Sequence, residues 1–169
     1  VKASGANREL VVRVPASLEG CRSIGLDVPE WIRAGIVDVL VPESFSGPEW
    51  VDPTTDFRPF VQAAKGSKTR IHAAIHSHVD SDRIGEAPIE MVRATACNYW
   101  AQGVDGLYLA HWFNHWPYEA PFYEMLREMP HPDIMAPKDK FYAIPTVTHR
   151  FQEPVDLEPR PRYTVNPKL

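Results

Sequence analysis

Asp27-Val-Pro-Glu-Trp-Ile-Arg-Ala-Gly-Ile-Val-Asp-Val-Leu-Val41 holds a helix, a stop and a strand. Asp27 can accept hydrogen bonds from first-turn amides, and Pro29 fits a turn whose amides have no helical partner. Gly35 supplies the left-handed residue that ends a helix. Val37 to Val41 then runs almost wholly apolar, as a strand buried on both faces does. The run continues through Pro42 to Glu43, so a carboxylate stands at the strand's end.

The same rhythm extends in both directions. Leu10 to Val14 reads as an earlier strand, apolar except for Arg13. The stretch after it, with Cys21, reads as a polar loop. Downstream, Phe57 to Ala64 reads as a helix stopping at Gly66, and Arg70 to Ile75 as a third strand. Ala87 to Gln102 is the clearest helix: Ile89, Val92, Ala96, Tyr99 and Trp100 recur at helical spacing, and Gly103 ends it. Gly106 to Ala110 reads as a fourth strand, and Tyr118 to Glu128 as another helix. Beyond Pro130 the pattern weakens, with Phe141 to Thr146 as one further strand.

Helices between strands imply a parallel sheet with right-handed crossovers. Four such units make half of a (β/α)8 barrel, or a small open α/β sheet. The segments following the strands are long (45–55, 76–86, 112–117) and those preceding them short. That asymmetry favours a barrel with its site at one mouth.

Composition narrows the class. A chain of 169 residues, 44% hydrophobic, suffices for one domain with a real core. That domain is expected over 1–150. Prolines and charges without periodicity over 151–169 predict an extended Pro-rich tail or linker. The net charge is −4 with both signs mixed, so no nucleic-acid or anionic-membrane partner is expected. No apolar run reaches membrane-spanning length. Cys21 and Cys97 form no metal or redox signature. The chain begins at Val1 and enters a strand almost at once, so it is expected to be a piece of a longer protein.

The strand ends carry the candidate chemistry, because (β/α) enzymes place reactive groups there. Glu43 can protonate a glycosidic oxygen, stabilise a cationic transition state or hold a sugar hydroxyl; its bland role is a solvated or Arg-paired loop carboxylate. Arg13 needs an anionic partner, which Glu43 or a substrate acid can supply; a structural salt bridge is the simpler reading. His76, His78 and Asp80 form a His-x-His-x-Asp cluster. It can read sugar hydroxyls, bind a metal with His111 as third ligand, or hold structural imidazoles. His111, Trp112, Asn114, His115 and Trp116 crowd the last strand end. They can stack on and read a sugar, or pack as a lid. Trp31 and Trp100 read as helix-face core, and Asp105 as a turn former.

Gly25-Leu-Asp-Val-Pro-Glu-Trp-Ile-Arg-Ala-Gly-Ile-Val-Asp-Val-Leu-Val-Pro42, Asn98-Tyr-Trp-Ala-Gln-Gly-Val-Asp-Gly-Leu-Tyr-Leu109 and Lys138-Asp-Lys-Phe-Tyr142 resemble bacterial family-10-like glycoside hydrolases, the "glycosyl hydrolase-like" (β/α)8 proteins. The resemblance spans roughly Leu10 to Tyr142. It implies the C-terminal half of a (β/α)8 TIM barrel, about four βα units, with the N-terminal half upstream in the same polypeptide. It implies a poly- or oligosaccharide substrate and hydrolysis of glycosidic bonds; no cofactor or metal is expected, and although such proteins are often found in secreted polysaccharide-degrading systems, a secreted or periplasmic location of the full-length protein stays open. Glu43 would be the main local carboxylate. Arg13, His76, His78, Asp80, His111, Trp112 and Asn114 would line the sugar site. Glycosidase barrels often carry a nucleophile after strand seven; here that end reads Ile75-His-Ser-His-Val-Asp80, without a glutamate. Two rival functions follow: a metal-dependent hydrolase using His76, His78 and His111, and a non-catalytic carbohydrate-binding barrel.

Overall fold

The computed structural model describes residues 8–43, 51–78, 86–110, 112 and 120–142. Four strands, β1 (Val11–Pro15), β2 (Val39–Glu43), β3 (Arg70–Ile75) and β4 (Gly106–Leu109), form one sheet in the order β1-β2-β3-β4. Every neighbouring pair is parallel. Helices α1 (Leu18–Ser23) and α2 (Val28–Arg33) join β1 to β2, α3 (Arg58–Ala64) joins β2 to β3, and α4 (Ile89–Ala101) joins β3 to β4. Helices α5 (Ala120–Glu128) and α6 (Pro132–Met135) follow β4. The mixed α/β class and the parallel sheet agree with the sequence reading.

Local chemistry explains the elements. Asp27 Oδ1 accepts from Glu30 N at 3.2 Å and caps α2. Gly35 has φ +64°, and the amides of Gly35 and Ile36 close onto the Ile32 and Trp31 carbonyls. That pair of bonds is the Schellman ending. Ser17 Oγ caps α1 by accepting from Gly20 N at 2.9 Å. The expected polar loop is therefore a helical turn there, and Cys21 is buried in it. Strand β2 runs two residues later than expected, so Glu43 is its last residue. Phe141 and Tyr142 lie outside any strand, with Phe141 N donating to the Glu90 carbonyl; the rest of that expected strand lies outside the described residues, as does 151–169.

The sheet has two unlike faces. Val14, Leu40, Ile71, Ala73 and Ile75 join one large apolar cluster to which all six helices contribute. Residues of the other parity, Val39, Val41 and Ala74, form a small second cluster with Ala110 and Tyr108. No helix residue belongs to it among those described. Among the described residues, the helices thus cover one face and leave the other helix-free.

Register is pinned at the strand starts. Asp38 Oδ2 accepts from Leu10 N, and Asp105 Oδ2 from Ile71 N, each at 2.8 Å. Thr69 Oγ1 donates to the Val37 carbonyl at 2.8 Å. At the start of β2, β3 and β4, then, a polar side chain ties the incoming chain to its predecessor. Asp105 is more than a turn former.

Candidate functional site

Strand alternation puts Arg13 on the helix-free face of β1, Glu43 on that of β2 and Tyr108 on that of β4. The parallel register sets Glu43 opposite Pro15, two residues beyond Arg13. Arg13 therefore reaches forward, and its Nε donates to Glu43 Oε2 at 2.5 Å. Its guanidinium carbon also lies 5.9 Å from the centre of the Tyr108 ring, within cation–π range. His76, just past β3, places Nε2 at 3.6 Å from Glu43 Oε1. One carboxylate is thus approached by a guanidinium and an imidazole from the strands on either side.

Burial grades this cluster. The Glu43 side chain is 1% exposed and that of His76 7%, while that of Arg13 is 37% exposed. Removing one partner of a buried charged pair leaves the other uncompensated, which is why Glu43 and Arg13 occur together. In this ion pair the glutamate is an acceptor, suited to serve as base, nucleophile or hydroxyl ligand.

The other expected site residues are placed differently. His78 is buried, with Nδ1 3.3 Å from Ser77 Oγ. Its carbonyl accepts from Val51 N, and its backbone bridges to Glu86. Trp112 is also buried: its indole N–H donates to the Ile75 carbonyl at 2.8 Å, and its ring packs on Phe122. Asp80, His111 and Asn114 lie outside the described residues. Among the described residues, no three His, Cys, Asp or Glu side chains gather closely enough to hold a metal ion.

One layer nearer the strand starts, on the same face, His72 stands opposite Gly106. A β-carbon on Gly106 would lie 2.8 Å from the imidazole Cδ2, so the glycine makes room for the ring. Burial, aided by the Arg70 charge, pushes the His72 pKa below its ordinary value, against the opposing pull of Asp105 and Glu9. Sequence reading missed this pair, although a glycine opening a strand was its visible sign.

A second charged cluster lies between helices. Arg93 Nε donates to Glu128 Oε2 at 2.6 Å, and Lys138 also bonds Glu128. The Arg93 hydrogen bond draws the Glu128 pKa down despite burial. Arg93 falls on the buried side of α4, where periodicity alone predicts an apolar residue.

No protein-family model matches this sequence, and no curated protein matches it significantly.

Proposed function

We propose that the helix-free face carries a saccharide-binding, glycosidase-like site, with Glu43 as its local carboxylate. The convergence of Arg13, Glu43 and His76 at the C-terminal ends of three adjacent parallel strands carries this reading, since that is where (β/α) folds gather chemistry. Glu43 would act on or hold the sugar as an acceptor, with Arg13 fixing its orientation and His76 beside its second oxygen. Asp80, His111 and Asn114 belong to the same proposal by sequence position.

The proposal includes completion of the sheet into a (β/α)8 barrel by further βα units of the same polypeptide. The monotonic strand order supports this. Right-handed crossovers advancing in one direction put every helix on one face, and parallel sheets need both faces covered. Val11 on β1 is 51% exposed, whereas every residue of β2 is buried.

A non-catalytic carbohydrate binder is the second reading. It is favoured by the close approach of Arg13 and His76 to both Glu43 oxygens. Turnover of a panel of neutral and acidic oligosaccharides by the intact protein, beside its Glu43→Gln variant, separates the two. Hydrolysis that falls at least about a hundredfold in Glu43→Gln supports the enzyme. Equal turnover by both proteins removes Glu43 from the chemistry. Binding without turnover selects the binder, and neither binding nor turnover ends the saccharide reading.

A further inference from the structure

Carrying the strand register across the sheet sets Tyr108 level with Glu43. Val39 pairs with Arg70, so Glu43 falls beside Ala74, and Ala74 pairs with Tyr108. These side chains share the helix-free face. Two strand spacings, about 10 Å, separate the Glu43 and Tyr108 backbones. Their side chains are linked more closely. The guanidinium whose Nε donates to Glu43 also lies 5.9 Å from the centre of the Tyr108 ring. Glu43 and Tyr108 thus flank one cation from β2 and β4.

The Tyr108 ring is half-buried and packs against the small apolar cluster of this face. Among the described residues, its hydroxyl makes no hydrogen bond. A buried tyrosine hydroxyl usually finds a partner, whereas a tip left in water needs none. Here the packed ring fixes where the tip stands, which lowers the ordering cost of binding to it. An ionised Glu43 only accepts hydrogen bonds, while a phenol both donates and accepts. Sugar hydroxyls are likewise donors and acceptors, so the two groups complement a neutral sugar. Small-molecule sites use a few such fixed groups, tyrosine hydroxyls among them, to set ligand orientation.

We infer that Tyr108 is a ligand-contacting residue that sets specificity on this face, its hydroxyl donating to an oxygen of a neutral sugar ring. This inference rests on the saccharide reading above and adds a residue and a contact to it. Tyr108 takes no part in bond cleavage, so its hydroxyl acts on binding and not on the chemical step.

The test compares the intact protein with its Tyr108→Phe variant, which keeps the ring beside Arg13 and removes only the hydroxyl. The probes are cellotetraose, xylotetraose, laminaritetraose and chitotetraose. Affinity is read by calorimetry, or as KM where a probe is turned over. At least one probe is expected to bind the variant about fivefold more weakly, the scale of a neutral hydrogen bond. Any kcat should be unchanged. The urea midpoint should also match that of the wild type, because the hydroxyl has no protein partner to lose. Unchanged affinity for every probe that the wild type binds would overturn the inference while sparing the saccharide reading. Weaker binding with a lowered urea midpoint would make the hydroxyl structural and overturn the inference. A fall in kcat with KM held would move Tyr108 into the chemical step and overturn the binding role. Wild-type binding to none of the probes would overturn both readings.

Discussion

Replacing Gly106 by alanine tests the packing of the helix-free face. The new β-carbon would lie 2.8 Å from His72 Cδ2, 2.9 Å from Nε2 and 3.1 Å from Cε1. The ring must turn or shift to admit it, because the neighbouring Ile71 and Ala73 are fully buried and hold the β3 backbone in place. Overpacking of this kind costs about 1–3 kcal/mol. Removing a glycine also restricts the unfolded chain, which returns about 0.4–1 kcal/mol where the backbone accepts alanine. Gly106 is not among the positive-φ glycines, so that gain applies. The net expectation is a loss of about 1–2 kcal/mol. In a His72→Ala background the obstacle is gone, and Gly106→Ala should be neutral or slightly stabilising. Urea unfolding of the four proteins closes a double-mutant cycle, whose expected coupling is the overpacking cost itself, about 1–3 kcal/mol. An equal effect of Gly106→Ala in both backgrounds would refute the reasoning, because the cost could then not come from the imidazole.

Two further measurements follow from the charged and thiol groups. Glu128→Gln should destabilise by about 2 kcal/mol at pH 7: a broken buried pair costs about 3–5 kcal/mol, but Arg93 keeps weaker contacts with Glu90 and Glu124. Because the folded-state pKa of Glu128 lies below its ordinary 4.5, its contribution is complete above that value and fades as pH falls past it. The thermal-stability gap between wild type and Glu128→Gln should therefore narrow below about pH 4.5, and a gap constant down to pH 3 would contradict the assignment. Burial pushes the Cys21 thiol up to about 11, and its Sγ faces the Pro15 carbonyl. A disulfide-exchange reagent at pH 8 should therefore label Cys21 only as fast as the protein unfolds. Labelling within seconds in native buffer would show the helix α1 packing to be wrong.

How much of this was legible depends on the range of the interactions. Helix α2 and its ending were readable because Asp27, Pro29 and Gly35 act within a few residues of themselves. Helix α1 was missed because six residues cannot display periodicity and Gly20 interrupts them. The local signs were Ser17 at its start, Glu19 and Arg22 in its turns and Gly25 past its end, and Gly20 leaves room for the Ser17 cap: a β-carbon there would lie 2.9 Å from Ser17 Oγ. The Arg13–Glu43 contact was foreseeable, since a cation in an apolar strand demands an anion. The approach of His76 to Glu43, and of Tyr108 to Arg13, depends on strand order and register, which no local pattern encodes. The same holds for Arg93 and Glu128, 35 positions apart in the chain. The covered position of Trp112 was equally hidden, because an aromatic residue at a strand end suits a lid and a sugar platform alike.

The motif that carried the family resemblance turns out to serve the scaffold. Tyr99 donates its hydroxyl hydrogen to the Asp52 carbonyl at 2.5 Å, and Asn98 Nδ2 donates to that of Pro53. Gln102 accepts from Phe57 N at 2.6 Å and donates to the Thr55 carbonyl at 3.0 Å. Trp100 Nε1 reaches the Met129 carbonyl at 2.8 Å. Each of these side chains satisfies backbone that would otherwise be stranded in a partly buried loop. A sequence pattern built from such bonds reports a fold, and one fold hosts many reactions. Yet the scaffold and the candidate site are connected. Chain 51–57 resumes the path that leaves β2 at Glu43, and it is fastened to α4 by these bonds and to His78 by Val51 N. Val51 N thus links this anchored segment to the chain just past β3, two residues beyond His76. A claim about chemistry therefore has to be argued from the strand-end side chains themselves.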